Sequence, residues 1–217
     1  MTKIKNIKTV EFISIVVSFL GLVVLAGWYL EIEVLKSILP IWVSMKFSTA
    51  LSFFISGLIL YFSDRILKEE STYSRTILII LILLLWLNMV AFLLSTFSSF
   101  STGIEEMFVS DVVAPIKTTF PGRPSVGTML NFILVVFLGA FGVYDLIKSR
   151  FYIYVVSVLI MSVAMLAILG YIFSVPMLYY YVEGISSAMA VHTAILFFLL
   201  GIGFYIIGKS RGKKHKE

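Results

Sequence analysis

Six apolar runs, each close to the length needed to cross a lipid bilayer, constrain this chain more than any other feature. A transmembrane helix needs about 20 consecutive apolar residues. The runs hold few charges and lack the alternation of apolar and polar residues that is typical of membrane β-strands. They predict an all-α integral membrane protein with one membrane domain over residues 1–217. The predicted spans cover about 10–30, 47–62, 76–97, 126–144, 151–173 and 188–207.

The amino-acid composition also indicates an integral membrane protein. Hydrophobic residues make up 60% of the sequence and charged residues 13%, whereas soluble domains carry about 25% charged residues. Too few residues remain outside the spans for a separate soluble domain. The first apolar run is longer than the 7–15 residues of a signal-peptide core, so we expect it to remain as an uncleaved first helix.

The distribution of Lys and Arg predicts the orientation. Thirteen of the 17 basic residues fall on the side that holds both termini, and four fall on the other. Because basic loops stay in the cytoplasm, we expect a multi-pass protein of the cell membrane with both termini cytoplasmic. The four on the outer side are Lys36, Lys46, Lys117 and Arg123.

The second, fourth and sixth spans begin with similar sequences, which are MKFSTALSFFISGL, PSVGTMLNFILVVF and MAVHTAILFFLLGI. They enter the membrane from the same side, so they predict parallel repeats: three helical hairpins with pseudo-threefold symmetry. The alternative is a coincidence among apolar sequences, since Thr is also common at helix N-termini. The aligned residues are Thr49, Thr128 and Thr193, each followed four residues later by Phe53, Phe132 and Phe197.

Residues inside the spans indicate packing more than chemistry. Small residues let helix backbones approach closely, and they occur in pairs such as Gly139 with Gly142 and Gly201 with Gly203. Asn88 and Asn131 are each expected to hydrogen-bond a neighbouring helix, which is typical of polar residues in membranes.

Catalytic and cofactor chemistry find little support. The chain has no cysteine and only two histidines, His192 and His215, so a zinc site built mainly from Cys and His is not expected. No Gly-x-Ser-x-Gly motif is present. We therefore expect no enzyme activity, no metal, no cofactor and no nucleic-acid partner. A small transporter is disfavoured because the spans are nearly free of ionisable residues.

The best candidate for a binding site is the outer mouth of the predicted bundle. Helix N-termini carry unpaired N–H groups and the positive end of the helix dipole, which suits a small polar or anionic headgroup. The Phe layer would form an apolar floor, and the tyrosines at 179–181 would shield the mouth. The alternative is that the threonines cap their own helices and the histidine faces interfacial water. The predicted ligand-binding residues are Thr49, Thr128, Thr193, His192 and Tyr180.

Three segments resemble a known membrane region. GYIFSVPMLYYYVEGISSAMAVHTAILFFLLGIGFYIIGKSRG is similar to the last hairpin of the membrane region at the N-terminus of many bacterial sensor histidine kinases and diguanylate cyclases. PGRPSVGTMLNFILVVFLGAF and MKFSTALSFFISGLIL resemble earlier helix starts of that region. The resemblance implies a sensory role and no catalytic residues. In that family the last helix leads into a PAS, kinase or cyclase domain, whereas GKSRGKKHKE follows Ile207 here.

Two classes of function remain. In the first, the chain is a membrane-embedded sensory or regulatory module that takes part in signal transduction. It binds a small or lipid-soluble ligand in its outer half and acts through a partner protein. In the second, it is a structural accessory subunit of a larger membrane complex.

Overall fold

The computed structural model describes residues 2–39, 42–69, 71–97, 123–144, 150–180 and 187–214. These residues form seven α-helices and one 3-10 turn. Six of the helices are long and apolar enough to cross a membrane, so the predicted all-α chain with six apolar spans is confirmed. The elements are α1 (Thr2–Tyr29), α2 (Glu33–Lys36), α3 (Phe47–Lys68), α4 (Thr72–Phe97), α5 (Val126–Tyr144), α6 (Arg150–Ile172), the 3-10 turn (Pro176–Leu178) and α7 (Val191–Lys214).

Several helix boundaries differ from the predicted ones, and two of the differences have identifiable reasons. The second span was predicted to end at 62, but α3 continues to Lys68 because Lys68 pairs with Asp64 one turn earlier. Such i,i+4 pairs support a helix beyond its apolar part. The last span was predicted to begin at 188, but α7 begins at Val191. The backbone N–H of Met189 instead donates to the Tyr179 carbonyl at 2.8 Å.

Helices α3, α5 and α7 form the centre of the molecule, and α1, α4 and α6 surround them. Helix α1 packs against α3 and α7, α4 against α3 and α5, and α6 against α5 and α7. Large exposed apolar side chains are concentrated on the three surrounding helices, and α3 has none. This distribution fits a bundle whose outer helices face lipid.

The three central helices run parallel and in register. On α3 and α5, the Phe53 ring contacts Phe132, and Ser63 Oγ lies 3.5 Å from where a Cβ on Gly142 would be. The two residues of each pair are 79 positions apart, so the register is constant over nearly three turns. On α3 and α7, Phe53 contacts Phe197. All three helices therefore begin at one end of the bundle, which we call the threonine end.

Two of the three hairpins make matching contacts. In the α1–α3 hairpin, a Cβ on Gly57 would approach the Ser14 carbonyl at 2.7 Å. In the α6–α7 hairpin, a Cβ on Gly201 would approach the Ser157 carbonyl at 3.1 Å. The second pair lies 143 to 144 positions after the first. In both hairpins a glycine allows the close approach of the two backbones, as expected for small residues in membrane helices.

The turns that follow α1 and α6 also match. Glu31 and Ser174 are the non-glycine residues with positive φ among those described, at 57° and 55°. Each lies four residues after a glycine, Gly27 or Gly170, whose carbonyl accepts a backbone hydrogen bond from the residue five positions later. A short helical element then follows in each case. Positive φ is uncommon for residues other than glycine, so its occurrence at the same position of both turns is a specific similarity between them.

Candidate functional site

Three phenylalanine rings meet where the central helices converge. The ring centroids of Phe53, Phe132 and Phe197 lie 4.7 to 4.9 Å apart in all three pairs, in tilted or edge-to-face arrangements. All three side chains are fully buried. These are the favoured geometries for aromatic pairs. These three residues, which we call the phenylalanine triangle, therefore form an apolar layer at the centre of the bundle.

The predicted threonines lie in the layer next to the phenylalanine triangle. Thr49, Thr128 and Thr193 are all buried, and each is the third residue of its helix. Each also lies four residues before one of the three phenylalanines, which places the two side chains on the same helix face. The structure therefore brings the three threonines to the threonine end, one turn from the rings.

The described helix starts do not support capping by these threonines. Ser125 caps α5, because its Oγ accepts a hydrogen bond from the Thr128 N–H at 3.1 Å and lies 2.8 Å from Thr128 Oγ1. The N-cap of α3 is Lys46, whose side chain makes no capping bond. At the starts of α3 and α5 another residue therefore holds the capping position, and Thr49 and Thr128 are the third residues of these helices.

His192 is the second residue of α7 and is half-buried. Its Nε2 atom is buried and has no hydrogen-bond partner among the described residues. The corresponding positions on α3 and α5 are Ser48 and Gly127. Because this nitrogen is shielded from solvent, it is not the part of the half-buried ring that can meet interfacial water. A buried nitrogen of this kind needs a hydrogen-bond partner.

The aromatic shield differs in detail from the predicted one. Tyr179 is buried and stacks on Tyr171, with 4.1 Å between centroids and 15° between planes. The Tyr171 hydroxyl donates to the Met189 carbonyl at 2.9 Å. Tyr180 is half-buried, and Tyr181 lies outside the described residues. The stacked pair therefore holds residues 187–190, the buried lead-in segment to α7.

Three buried cations at the threonine end were not predicted as site residues. Lys36 lies 4.7 Å from the centroid of the Trp28 ring and pairs with Glu33 at 2.6 Å. Lys46 is buried at the start of α3. Arg123 is buried three residues before α5 and donates to Ser95 Oγ at 2.7 Å. One feature of the sequence could have identified them: they are three of the four basic residues on the side that carries few charges.

The threonine end is therefore rich in polar and cationic groups. Three positive helix ends, three buried cations, three threonines and one histidine nitrogen lie at the same end of the bundle. No group of three or more His, Cys, Asp or Glu side chains that could hold a metal ion occurs within the described ranges.

Similarity to known proteins does not assign a function to this arrangement. No protein-family model, curated protein sequence or solved structure matches the chain significantly.

Proposed function

We propose that this chain is a membrane-embedded sensory or regulatory module that binds a small or lipid-soluble ligand at its threonine end. The observation that carries the proposal is the burial of Thr49, Thr128 and Thr193, each one helical turn before a residue of the phenylalanine triangle. The buried His192 nitrogen, which has no hydrogen-bond partner among the described residues, lies at the same end. The nearby cations and helix N-termini favour a ligand with an anionic headgroup.

The architecture of the module is three parallel-repeat hairpins around a pseudo-threefold axis. Three features support it: the in-register contacts of α3, α5 and α7, the phenylalanine triangle, and the matching contacts of the first and third hairpins. In this arrangement each hairpin contributes one threonine to the same layer. A single ligand at the axis then contacts all three hairpins and draws them together.

A partner protein receives the signal. Helix α7 has 24 residues and is therefore about 36 Å long at about 1.5 Å per residue. Its first turn carries the histidine and the third threonine, and its last turn lies at the opposite end of the bundle. A ligand that shifts the first turn moves the last turn as part of one rigid element. The resemblance of α6 and α7 to the sensory regions of bacterial kinases and cyclases agrees with this route.

The test is ligand-induced thermal stabilisation of the purified protein. Phosphatidylglycerol, an anionic lipid, should raise the Tm in mixed micelles, whereas zwitterionic phosphatidylcholine should not. The triple variant Thr49→Val, Thr128→Val, Thr193→Val should fold and lose the rise. Thr76→Val is the matched control, since Thr76 is an exposed threonine on α4. An equal rise in the triple variant, or no rise in the wild type, would contradict the proposal.

A structural accessory subunit is the second candidate, and α4 favours it. This helix exposes several large apolar side chains in a row, among them Leu83, Leu84 and Leu87. Such a face suits a neighbouring membrane protein as well as lipid. The two candidates differ in the isolated chain. A module should be monodisperse and stable when it is purified alone, whereas a subunit should need its partner to stay folded.

A further inference from the structure

Asn131 on α5 is the most unusual polar residue in the described core. Its side chain is fully buried, and neither Nδ2 nor Oδ1 has a hydrogen-bond partner among the described residues. The sequence predicts that Asn88 and Asn131 each bond a neighbouring helix. Asn88 does so, donating from Nδ2 to Ser52 Oγ on α3 at 3.4 Å. Buried amides are satisfied in nearly all proteins, so Asn131 requires a partner beyond the described side chains, and a water molecule can supply one.

Helix geometry places Asn131 on the side of α5 that faces Ser52. Gly142 lies beside Ser63 and Leu78, so this side of α5 faces α3 and α4. Asn131 precedes Gly142 by 11 residues, which is close to three full turns. Ser52 precedes Ser63 by the same 11 residues. Asn131 therefore lies opposite Ser52, at the same level along the bundle, just as Gly142 lies opposite Ser63.

Three polar side chains from three helices thus share one level inside the apolar bundle. The Ser52 hydroxyl donates to the Ser48 carbonyl at 2.8 Å, so its oxygen accepts the bond from Asn88. Asn88 retains a second N–H and its carbonyl, and Asn131 retains its full set of two donors and one carbonyl. None of these groups is charged. The site therefore suits a small neutral molecule that both donates and accepts hydrogen bonds.

This polar level does not extend to the matching face of α7. The positions on α7 that correspond to Ser52 and Ser56 on α3 are Leu196 and Leu200, both buried. The seam between α3, α4 and α5 is thus polar where the matching face of α7 is apolar. Packing alone does not need this difference, since leucine fills the equivalent place.

We propose that Asn131, Asn88 and Ser52 bind a buried water molecule that joins α5 to α3 and α4. The water accepts a hydrogen bond from the Asn131 amide and donates to the Asn88 carbonyl and to Ser52 Oγ, since a hydroxyl oxygen can accept two hydrogen bonds. A buried water of this kind needs two to four polar partners, which these side chains supply. The inference does not depend on ligand binding at the threonine end, because it concerns another site and another ligand.

The composition of the chain makes a direct test practical. Asn6, Asn88 and Asn131 are the only asparagines in the sequence, and glutamine is absent. Labelling asparagine with 15N therefore gives three side-chain amide pairs in the NMR spectrum of the whole protein in deuterated detergent. Asn131→Leu and Asn88→Leu each remove one pair and so assign the spectrum. If one variant fails to fold, the other and Asn6→Ser complete the assignment.

The expected result is a cross-peak between the side-chain amide protons of Asn131 and water. The cross-peak should be the same with deuterated and with protonated detergent tails. Ser52→Ala should weaken that cross-peak, whereas Ser157→Ala should not. Ser157 is the matched control, because it also has a buried hydroxyl without a partner among the described residues but lies on α6. Cross-peaks from Asn131 only to protein or detergent methyl groups would overturn the proposal. A water cross-peak unchanged in Ser52→Ala would remove Ser52 from the site.

Discussion

A single residue type at three matched positions joins the central helices. Each ring of the phenylalanine triangle contacts two others, so truncating one ring removes two aromatic contacts and leaves a cavity in a close-packed core. A buried Phe→Ala change in a core costs about 3–5 kcal/mol. The three residues therefore contribute more to stability than equally apolar residues on the surrounding surface.

Phe132→Ala should lower the free energy of unfolding by about 3 kcal/mol or more, as measured by denaturation in detergent. Phe137→Ala, on the same helix, is the matched control, since Phe137 is 50% exposed and faces away from the rings. It should change the stability much less. Equal losses in the two variants would show that the triangle does not stabilise the bundle.

Glycines at helix contacts differ in what they tolerate. A Cβ on Gly57 would lie 2.7 Å from both the Ser14 carbonyl and the Ser18 nitrogen, whereas on Gly142 it would lie 3.5 Å from Ser63 Oγ. Gly57→Ala must push α1 and α3 apart, and overpacking of this kind costs about 1–3 kcal/mol. Gly142→Ala should be neutral or slightly stabilising, because alanine favours the helix. Melting midpoints of the two variants would check the order, and a reversed order would contradict the close approach.

At the scale of elements, the lead-in segments of α3 and α7 are held by aromatic residues of the preceding long helix. Trp28 on α1 donates from Nε1 to the Met45 carbonyl at 2.9 Å, and Tyr171 on α6 donates to the Met189 carbonyl. A cation packs on the first ring and a second tyrosine stacks on the other. Different chemistry thus performs the same structural task in the two hairpins.

Trp28→Phe and Tyr171→Phe should each destabilise the protein by about 1–3 kcal/mol, because each leaves a buried carbonyl without its donor. Trp86→Phe provides the control, since Trp86 on α4 is 45% exposed. The measurement is the midpoint of thermal unfolding of the purified variants. A loss in Trp86→Phe as large as in the other two would indicate a general effect of removing a polar aromatic group.

The sequence predicts those structural features that depend on neighbouring residues along the chain. Apolar length is enough to locate the spans, and Asn88 bonds a neighbouring helix as expected. The start of α7 is not predictable in this way, because the backbone of Met189 is bonded to Tyr179, ten residues earlier. The burial of Lys36 depends on the Trp28 ring beneath it, and Asn131 lies at a level that only the register of three helices defines.

At the scale of the whole molecule, α1 begins and α7 ends at the same end of the bundle, opposite the threonine end. The hydrophobic pattern does not decide which end faces the cytoplasm. The distribution of Lys and Arg predicts this orientation: the threonine end carries few basic residues, and the cations described there are buried against partners such as Trp28 and Ser95. The opposite end carries most of the Lys and Arg.

The threonine end should therefore face outward. Reporter fusions after Lys68 and after Arg150 should give a cytoplasmic signal, and fusions after Lys36 and after Tyr180 should give an external one, because basic loops resist translocation. The two fusions expected on the same side control for each other, because they truncate the chain at different points and should still report the same side. An external signal after Arg150 together with a cytoplasmic one after Lys36 would invert the molecule. The proposed ligand site would then open to the cytoplasm, and its ligand would come from that side.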